Sequence, residues 1–166
     1  MLDLVLALPA DRFANLYGAL PPELSAALDG PIARMLNSRV PSVRRQPQAL
    51  RARALRAWIV RQRDEDVAGD LLRAYFLGPR LPLVTSFLDA TGVKHEKGQI
   101  TDDESEPDAA KVPAAVEALL KEYDAEDVQL YLAVAAQQWP ENAGVRDAAA
   151  ADRKSGASSA DSKTGR

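Results

Sequence analysis

Two stretches with helical apolar spacing, one on each side of an acidic triplet, constrain the fold of this chain most strongly. In residues 48–62, Leu55 and Ile59 share one side of a helix while arginines occupy another. Residues 64–66 are all acidic, and acids favour the first turn of a helix because they complement its dipole. The apolar stripe of residues 67–76 then repeats at helical spacing. This order predicts an αα-hairpin with a short acidic turn.

A weaker copy of the pattern follows 61 residues later. Ala54–Ala74 aligns with Ala115–Ala135 at that offset, and seven of the 21 aligned positions are identical. Internal duplication and the shared needs of any amphipathic hairpin are two open interpretations of the match. Under either interpretation both copies predict helix, acidic turn, helix. Stacked hairpins of this kind usually present a surface to a partner rather than a deep catalytic cleft.

The composition supports a helical fold. Apolar residues make up 46% of the 166 residues and aromatic residues only 5%, which favours helices packed through small side chains over a sheet. We therefore predict an all-α, single-domain bundle of about seven helices, built largely from αα-hairpins, over residues 1–140. Residues 93–101 are compatible with one tiny β-hairpin around Lys97-Gly98. Residues 141–166 lack aromatic side chains and are predicted to be a disordered tail.

The predicted core consists of the large apolar residues on the inward sides of these helices. It comprises Leu55, Trp58, Ile59, Leu71, Leu72, Tyr75, Phe76, Phe87, Leu88, Leu119, Leu120, Leu132 and Trp139. These positions come from both hairpins and from the segment between them.

Several classes of chemistry have no support in the sequence. The chain has no cysteine, which excludes disulfides, thiolate chemistry and Cys-bearing metal sites. It shows no glycine-rich phosphate loop and no nucleophile with an adjacent base, so we predict no enzyme, no cofactor and no metal site. The first nine residues lack the basic region of a signal peptide, and no stretch has the apolar length needed to cross a membrane. We therefore expect a cytoplasmic protein.

Arginine is concentrated in one window. Nine of the fifteen arginines lie between Arg34 and Arg63, and no Asp or Glu occurs from Gly30 to Arg63. Since the whole chain has a net charge of −3, the positive charge of this window is balanced elsewhere. A G+C-rich, bacterial-like coding bias would also enrich arginine and alanine. The candidate interaction surface comprises Arg44, Arg45, Arg51, Arg53, Arg56 and Arg63.

Three interpretations of this window stay open. It could contact nucleic-acid phosphates, with Trp58 available for stacking, although the pI of about 5.2 is low for a nucleic-acid domain. It could pair within the chain with residues 94–127, which hold eleven acids against four lysines. It could also bind a partner protein or a second copy, with charge steering the encounter. The second and third interpretations are favoured.

The single histidine gives the one candidate for acid-base or metal chemistry. His95 precedes Glu96 and is followed closely by Asp102, and such side chains are ingredients of a divalent-metal site. The spacing is not that of a calcium-binding loop, so a solvated loop is the preferred interpretation.

The sequence thus predicts a helical protein-interaction or regulatory module without catalytic activity, which binds a partner protein or itself. The alternative is a nucleic-acid-binding protein that uses residues 44–63. The identity of the partner, the oligomeric state and the biological process lie beyond what this pattern predicts.

Overall fold

The computed structural model describes residues 1–102 and 104–157. Within these residues the chain forms eleven α-helices and one two-stranded antiparallel sheet, which confirms the all-α class with a small β-hairpin. More helices are present than the seven predicted, because several short turns of helix join the longer ones. The chain divides into two compact units between Leu81 and Pro82. The single domain predicted over 1–140 stays a prediction.

The first unit consists of seven helices that precede Leu81. They are α1 (Leu2–Ala7), α2 (Ala10–Gly18), α3 (Pro22–Ala26), α4 (Asp29–Met35), α5 (Val40–Val43), α6 (Gln48–Gln62) and α7 (Glu65–Phe76). The long helix α6 packs against α2 and α4, while α7 packs against α1 and α2. The interior is formed by fully buried side chains such as Phe13, Ile32, Leu55, Ile59 and Leu71. This packing turns the Leu55 and Ile59 side of α6 inward, as its apolar spacing predicts.

Two short helices in this unit contain a glycine or a proline near their start. Gly30 lies inside α4, although glycine commonly ends helices, and Pro41 lies inside α5. Both residues occur in the first turn of their helix. A first-turn proline is tolerated because the backbone N–H it removes has no partner within the helix.

The second unit begins at Pro82, the second residue of α8 (Leu81–Thr91). It continues through a β-hairpin and three helices. These are β1 (His95–Glu96), β2 (Gln99–Ile100), α9 (Val112–Glu122), α10 (Ala125–Gln138) and α11 (Ala143–Ala157). In the hairpin, His95 pairs with Ile100 and Glu96 with Gln99. Lys97 and Gly98 connect the strands with φ angles of 50° and 80°, as a two-residue type I′ turn requires.

Part of the segment 141–166, which is predicted to be a disordered tail, forms helix α11. Helix α11 packs against α9 and α10, and Val145 is fully buried. Asn142 fixes the start of this helix: its Oδ1 accepts from the amide of Val145 at 3.1 Å, and its Nδ2 donates to the carbonyl of Pro107 at 2.7 Å. An alanine-rich segment with one anchored valine therefore gains enough packing to remain helical. Residues 158–166 lie outside the described residues.

The predicted core is confirmed at most positions but is wrong at Leu120. This side chain is 43% exposed and lines a groove of about 670 Å³ on the second unit, together with Val116, Ala143 and Ala148. Its outward position follows from α9, which turns Leu119 and not Leu120 into the core. Trp58 and Trp139 are half-buried instead of fully buried.

Candidate functional site

The six candidate arginines lie in the first unit, but they do not form one continuous surface. Arg53 and Arg56 border a groove between α2 and α6. Arg44 and Arg51 line a separate cavity that also involves α2 and α3. Because Arg51 and Arg53 are two residues apart on α6, they point about 160° from each other around its axis. Four of the six arginines therefore belong to two separate sites, the groove and the cavity.

The groove between α2 and α6 is apolar and open. It has a volume of about 530 Å³, and its walls are built largely from small residues of the two helices. The lining comprises Ala10, Asp11, Phe13, Ala14, Ala49, Ala52, Arg53, Arg56, Ala57 and Val60. Val60 is 53% exposed, so a large apolar side chain at the groove is left in contact with water.

Positive charge borders this groove. Nη2 of Arg56 donates to the carbonyl of Leu8 at 3.0 Å, which fixes the guanidinium beside the apolar walls. Arg53 is exposed, and within the described residues it has no ion pair. Asp11 is the acid among the lining residues. The groove thus combines an apolar floor with two guanidinium groups and one carboxylate.

The second place is a polar cavity of about 340 Å³. It is lined by Tyr17, Gly18, Leu20, Pro22, Ser25, Arg44, Gln48 and Arg51. Behind this lining, Nε of Arg44 donates to Oδ2 of Asp29 at 3.0 Å. The Asp29 side chain is 1% exposed, whereas that of Arg44 is 66% exposed. A buried carboxylate therefore anchors an arginine whose far end reaches solvent.

Three buried polar atoms in this region have no hydrogen-bond partner among the described residues. They are Oη of Tyr17, Oδ1 of Asp29 and Nε of Arg51. The guanidinium of Arg51 lies 5.7 Å from the centre of the Tyr17 ring. Burial raises the pKa of the Tyr17 hydroxyl, against the effect of Arg51, and Asp29 raises it further. Tyr17 is therefore a protonated donor at neutral pH.

The two remaining candidate arginines lie away from both places. Arg45 follows α5, is exposed, and has no ion pair in the part of the chain that the structure describes. Arg63 ends α6 in the left-handed conformation with φ 50°, and its Nη2 lies 3.9 Å from Oδ1 of Asp3. Such an exposed pair contributes little to stability.

The charge partners found for these arginines come from the first unit. Asp29 pairs with Arg44, and Asp3 lies near Arg63; both acids precede the arginine window in sequence. The predicted pairing of the window with residues 94–127 stays a prediction.

Trp58 has a structural environment that limits stacking on a base. Its Nε1 donates to Oδ2 of Asp64 at 2.9 Å. The guanidinium of Arg34 lies 5.5 Å from the ring centre, in the geometry of a cation–π contact. One face of the indole is therefore already occupied by a cation.

His95 does not converge with the acids predicted near it. Its Nδ1 accepts from the amide of Gly98 at 3.3 Å, so its Nε2 carries the proton and donates to Oδ1 of Asp89 at 3.1 Å. Asp102 instead accepts from Lys94 at 3.3 Å, and Glu96 is exposed. The histidine thus connects the hairpin to α8, and the structure removes the geometric basis for a site with Glu96 and Asp102.

Within residues 1–102 and 104–157, no three His, Cys, Asp or Glu side chains group closely enough to hold a metal ion. None of the helices described combines the length and apolar character needed to span a bilayer. Comparison of the chain with protein-family models, curated proteins and solved structures returned no match.

Sequence reasoning missed the polar cavity. Its buried acid, Asp29, is fifteen residues from Arg44, and Tyr17 is a further twelve residues upstream. The available signal was the position of Asp29 itself, which is the last acid before the arginine window.

Proposed function

We propose that this chain is a helical, non-catalytic interaction module of the cytoplasm that binds a partner protein in the groove between α2 and α6. The partner segment is an amphipathic helix with an apolar stripe and acidic residues beside it. The observation that carries this proposal is the apolar groove itself, with Val60 exposed at it and Arg53 and Arg56 at its border.

The shape of the groove supports a helix as occupant. Alanines line it from both α2 and α6, and small side chains allow another backbone to approach closely. An amphipathic helix in such a groove buries side chains at positions i, i+3, i+4 and i+7. Burial of the exposed part of Val60 adds to the apolar contact, since each buried methylene contributes about 0.8 kcal/mol.

The charges support an acidic partner. Arg53 has no ion pair to lose among the described residues, so a partner carboxylate gains its attraction without breaking an existing contact. Arg56 is already fixed by the carbonyl of Leu8, which lowers the entropy lost when it binds. Arginine is also enriched at interface positions that dominate affinity.

Nucleic-acid binding is the second candidate, because Arg45 and Arg53 are exposed and without ion pairs within the described chain. The protein partner is favoured over it, since Trp58 is bonded to Asp64 and covered by Arg34. The apolar floor of the groove also offers nothing specific to a phosphate backbone.

A designed peptide tests the proposal. The peptide is an amphipathic helix with leucines at i, i+3, i+4 and i+7 and glutamates beside them, and its counterpart carries lysines in place of the glutamates. Fluorescence anisotropy is expected to show binding of the acidic peptide and a loss of about tenfold in Arg53→Glu, or about 1.4 kcal/mol. Arg39→Glu changes an exposed arginine outside the groove and is expected to leave affinity unchanged.

Three results would count against this function. The first is binding of both peptides with equal affinity, and the second is equal loss in Arg53→Glu and Arg39→Glu. The third is binding of a DNA or RNA oligonucleotide, but not of the acidic peptide, that weakens with salt and in Arg53→Glu. This third result would support the nucleic-acid alternative.

A further inference from the structure

The polar cavity on the other side of α6 has a charge imbalance that a ligand could neutralise. Arg44 and Arg51 line it, and Asp29 is the buried acid that pairs with Arg44. Two guanidinium groups beside one carboxylate leave one positive charge uncompensated. A ligand with a single negative charge restores neutrality.

Buried polar atoms without hydrogen-bond partners indicate that the hydrogen bonding around this cavity is incomplete in the chain alone. Tyr17 is 2% exposed, and its Oη has no hydrogen-bond partner among the described residues. Nε of Arg51 is also buried and has no hydrogen-bond partner among the described residues. A buried polar group without a partner is unfavourable, so an added acceptor that meets both donors is favoured.

The Arg44 contact leaves binding capacity on the same guanidinium. Asp29 accepts from Nε of Arg44, which leaves the terminal nitrogens to a ligand. Arg51 lies over the ring of Tyr17, and both residues line the cavity. Leu20 and Pro22 provide an apolar wall beside these groups.

We propose that this cavity binds a small organic molecule with one carboxylate, which Arg51 and Arg44 hold while Tyr17 donates its hydroxyl proton in a hydrogen bond. The apolar part of the ligand packs against Leu20 and Pro22. A carboxylate has the planar pair of oxygens that matches the guanidinium fork. The volume of about 340 Å³ is at the small end of the range for ligand pockets.

A carboxylate fits this site better than a phosphate does. A phosphate dianion would exceed the single uncompensated charge, so the nearby Asp29 would repel it more strongly than it repels a carboxylate with one charge. The site is also independent of the peptide groove, because Arg51 and Arg53 lie on nearly opposite sides of α6. Failure of the peptide experiment therefore does not decide the outcome here.

The test uses the full chain with benzoate as the carboxylate probe, benzamide as its neutral counterpart, and inorganic phosphate. Amide NMR spectra are expected to show saturable shifts at Gly18 and Ser25 with benzoate and none with benzamide. Arg51→Met is expected to weaken benzoate by at least about tenfold. Arg39→Met, a change at an exposed arginine that lines neither the cavity nor the groove, is expected to leave affinity unaltered.

Tyr17→Phe is the second variant, in case Arg51→Met fails to fold. It removes a hydroxyl that has no partner among the described residues, so folding is expected to persist while benzoate binds several-fold more weakly. The proposal is overturned if benzoate gives no saturable shift, if benzamide binds equally well, or if phosphate alone binds. Equal loss in Arg51→Met and Arg39→Met would overturn it too.

Discussion

Nε1 of Trp58 donates a 2.9 Å hydrogen bond to Oδ2 of Asp64, six residues later in the chain. The other carboxylate oxygen of Asp64 accepts from the amide of Val67 at 3.0 Å and caps α7. The bond from Val67 first, and that from Trp58 second, lower the pKa of the Asp64 carboxyl below its ordinary 3.8. One side chain thus begins α7 and fixes the tryptophan of α6.

Asp64→Ala is expected to lower the free energy of unfolding by about 1–2 kcal/mol, because it removes the cap and leaves the indole N–H without its acceptor. Asp64→Asn keeps an acceptor oxygen and is expected to lose less. Urea unfolding at pH 7 measures both changes.

The Asp64 contribution also depends on pH. Its pKa is lowered in the folded state, so the extra stability is present above the ordinary pKa and is lost as pH falls through the folded value. The difference between the wild type and Asp64→Asn is expected to shrink below pH 3.8. A difference that stays constant through the acid range would contradict the assigned role.

The short helix α5 offers a matched pair of valines. Val43 is fully buried and Val40 is 46% exposed. Val43→Ala removes two buried methyl groups and leaves a cavity, so it is expected to cost about 2 kcal/mol of unfolding free energy. Val40→Ala is expected to change it by less than about 0.5 kcal/mol. Chemical denaturation of the two variants gives the comparison, and equal costs would show that α5 is not anchored by Val43.

Two helical glycines are expected to respond oppositely to alanine. A Cβ at Gly69, inside α7, would meet no atom within 4 Å apart from its chain neighbours and the nearby backbone of its own helix, so Gly69→Ala is expected to stabilise the chain by about 1 kcal/mol through helix propensity. A Cβ at Gly144 would lie 2.7 Å from the carbonyl oxygen of Ala109. Gly144→Ala therefore forces backbone to move and is expected to destabilise by about 1–3 kcal/mol. Thermal unfolding followed by circular dichroism measures the sign of each change.

Asn142 is expected to determine whether α11 stays docked. Asn142→Ala removes both the cap to Val145 and the bond to the carbonyl of Pro107, for a combined loss of about 2–3 kcal/mol. Asn142→Asp retains an acceptor for the cap but has no donor for Pro107. Amide hydrogen exchange in residues 143–151 is expected to accelerate most in Asn142→Ala and less in Asn142→Asp. Unchanged exchange in both would show that Val145 alone holds the helix.

Local chemistry made parts of the fold predictable. Asp124 caps α10 by accepting from the amide of Glu126 at 2.8 Å, and aspartate is among the residues preferred at that position. Gly92 follows α8 with φ 81°, and Lys97-Gly98 forms the predicted turn. Each of these features depends on a few adjacent residues, which a sequence displays directly.

The candidate site was less predictable because it depends on contacts between distant residues. Helical spacing placed Arg53 on an exposed side of α6, but it gave no information on which helix would form the other wall of a groove. The Arg44 to Asp29 bond joins two helices across fifteen residues. The exposure of Leu120 likewise depends on the rotation of α9 about its own axis within the second unit. An amphipathic stripe defines that rotation only loosely.

The distribution of the two tryptophans has a practical consequence. Trp58 belongs to the first unit, and Trp139, whose Nε1 donates to the carbonyl of Ser105 at 3.2 Å, belongs to the second. Each compact unit therefore contains its own tryptophan, so Trp58→Phe and Trp139→Phe give single-tryptophan proteins whose tryptophan emission reports on one unit at a time. Unfolding curves followed by tryptophan emission would coincide in the two variants if the chain unfolds in a single cooperative transition. Different midpoints would reveal two transitions.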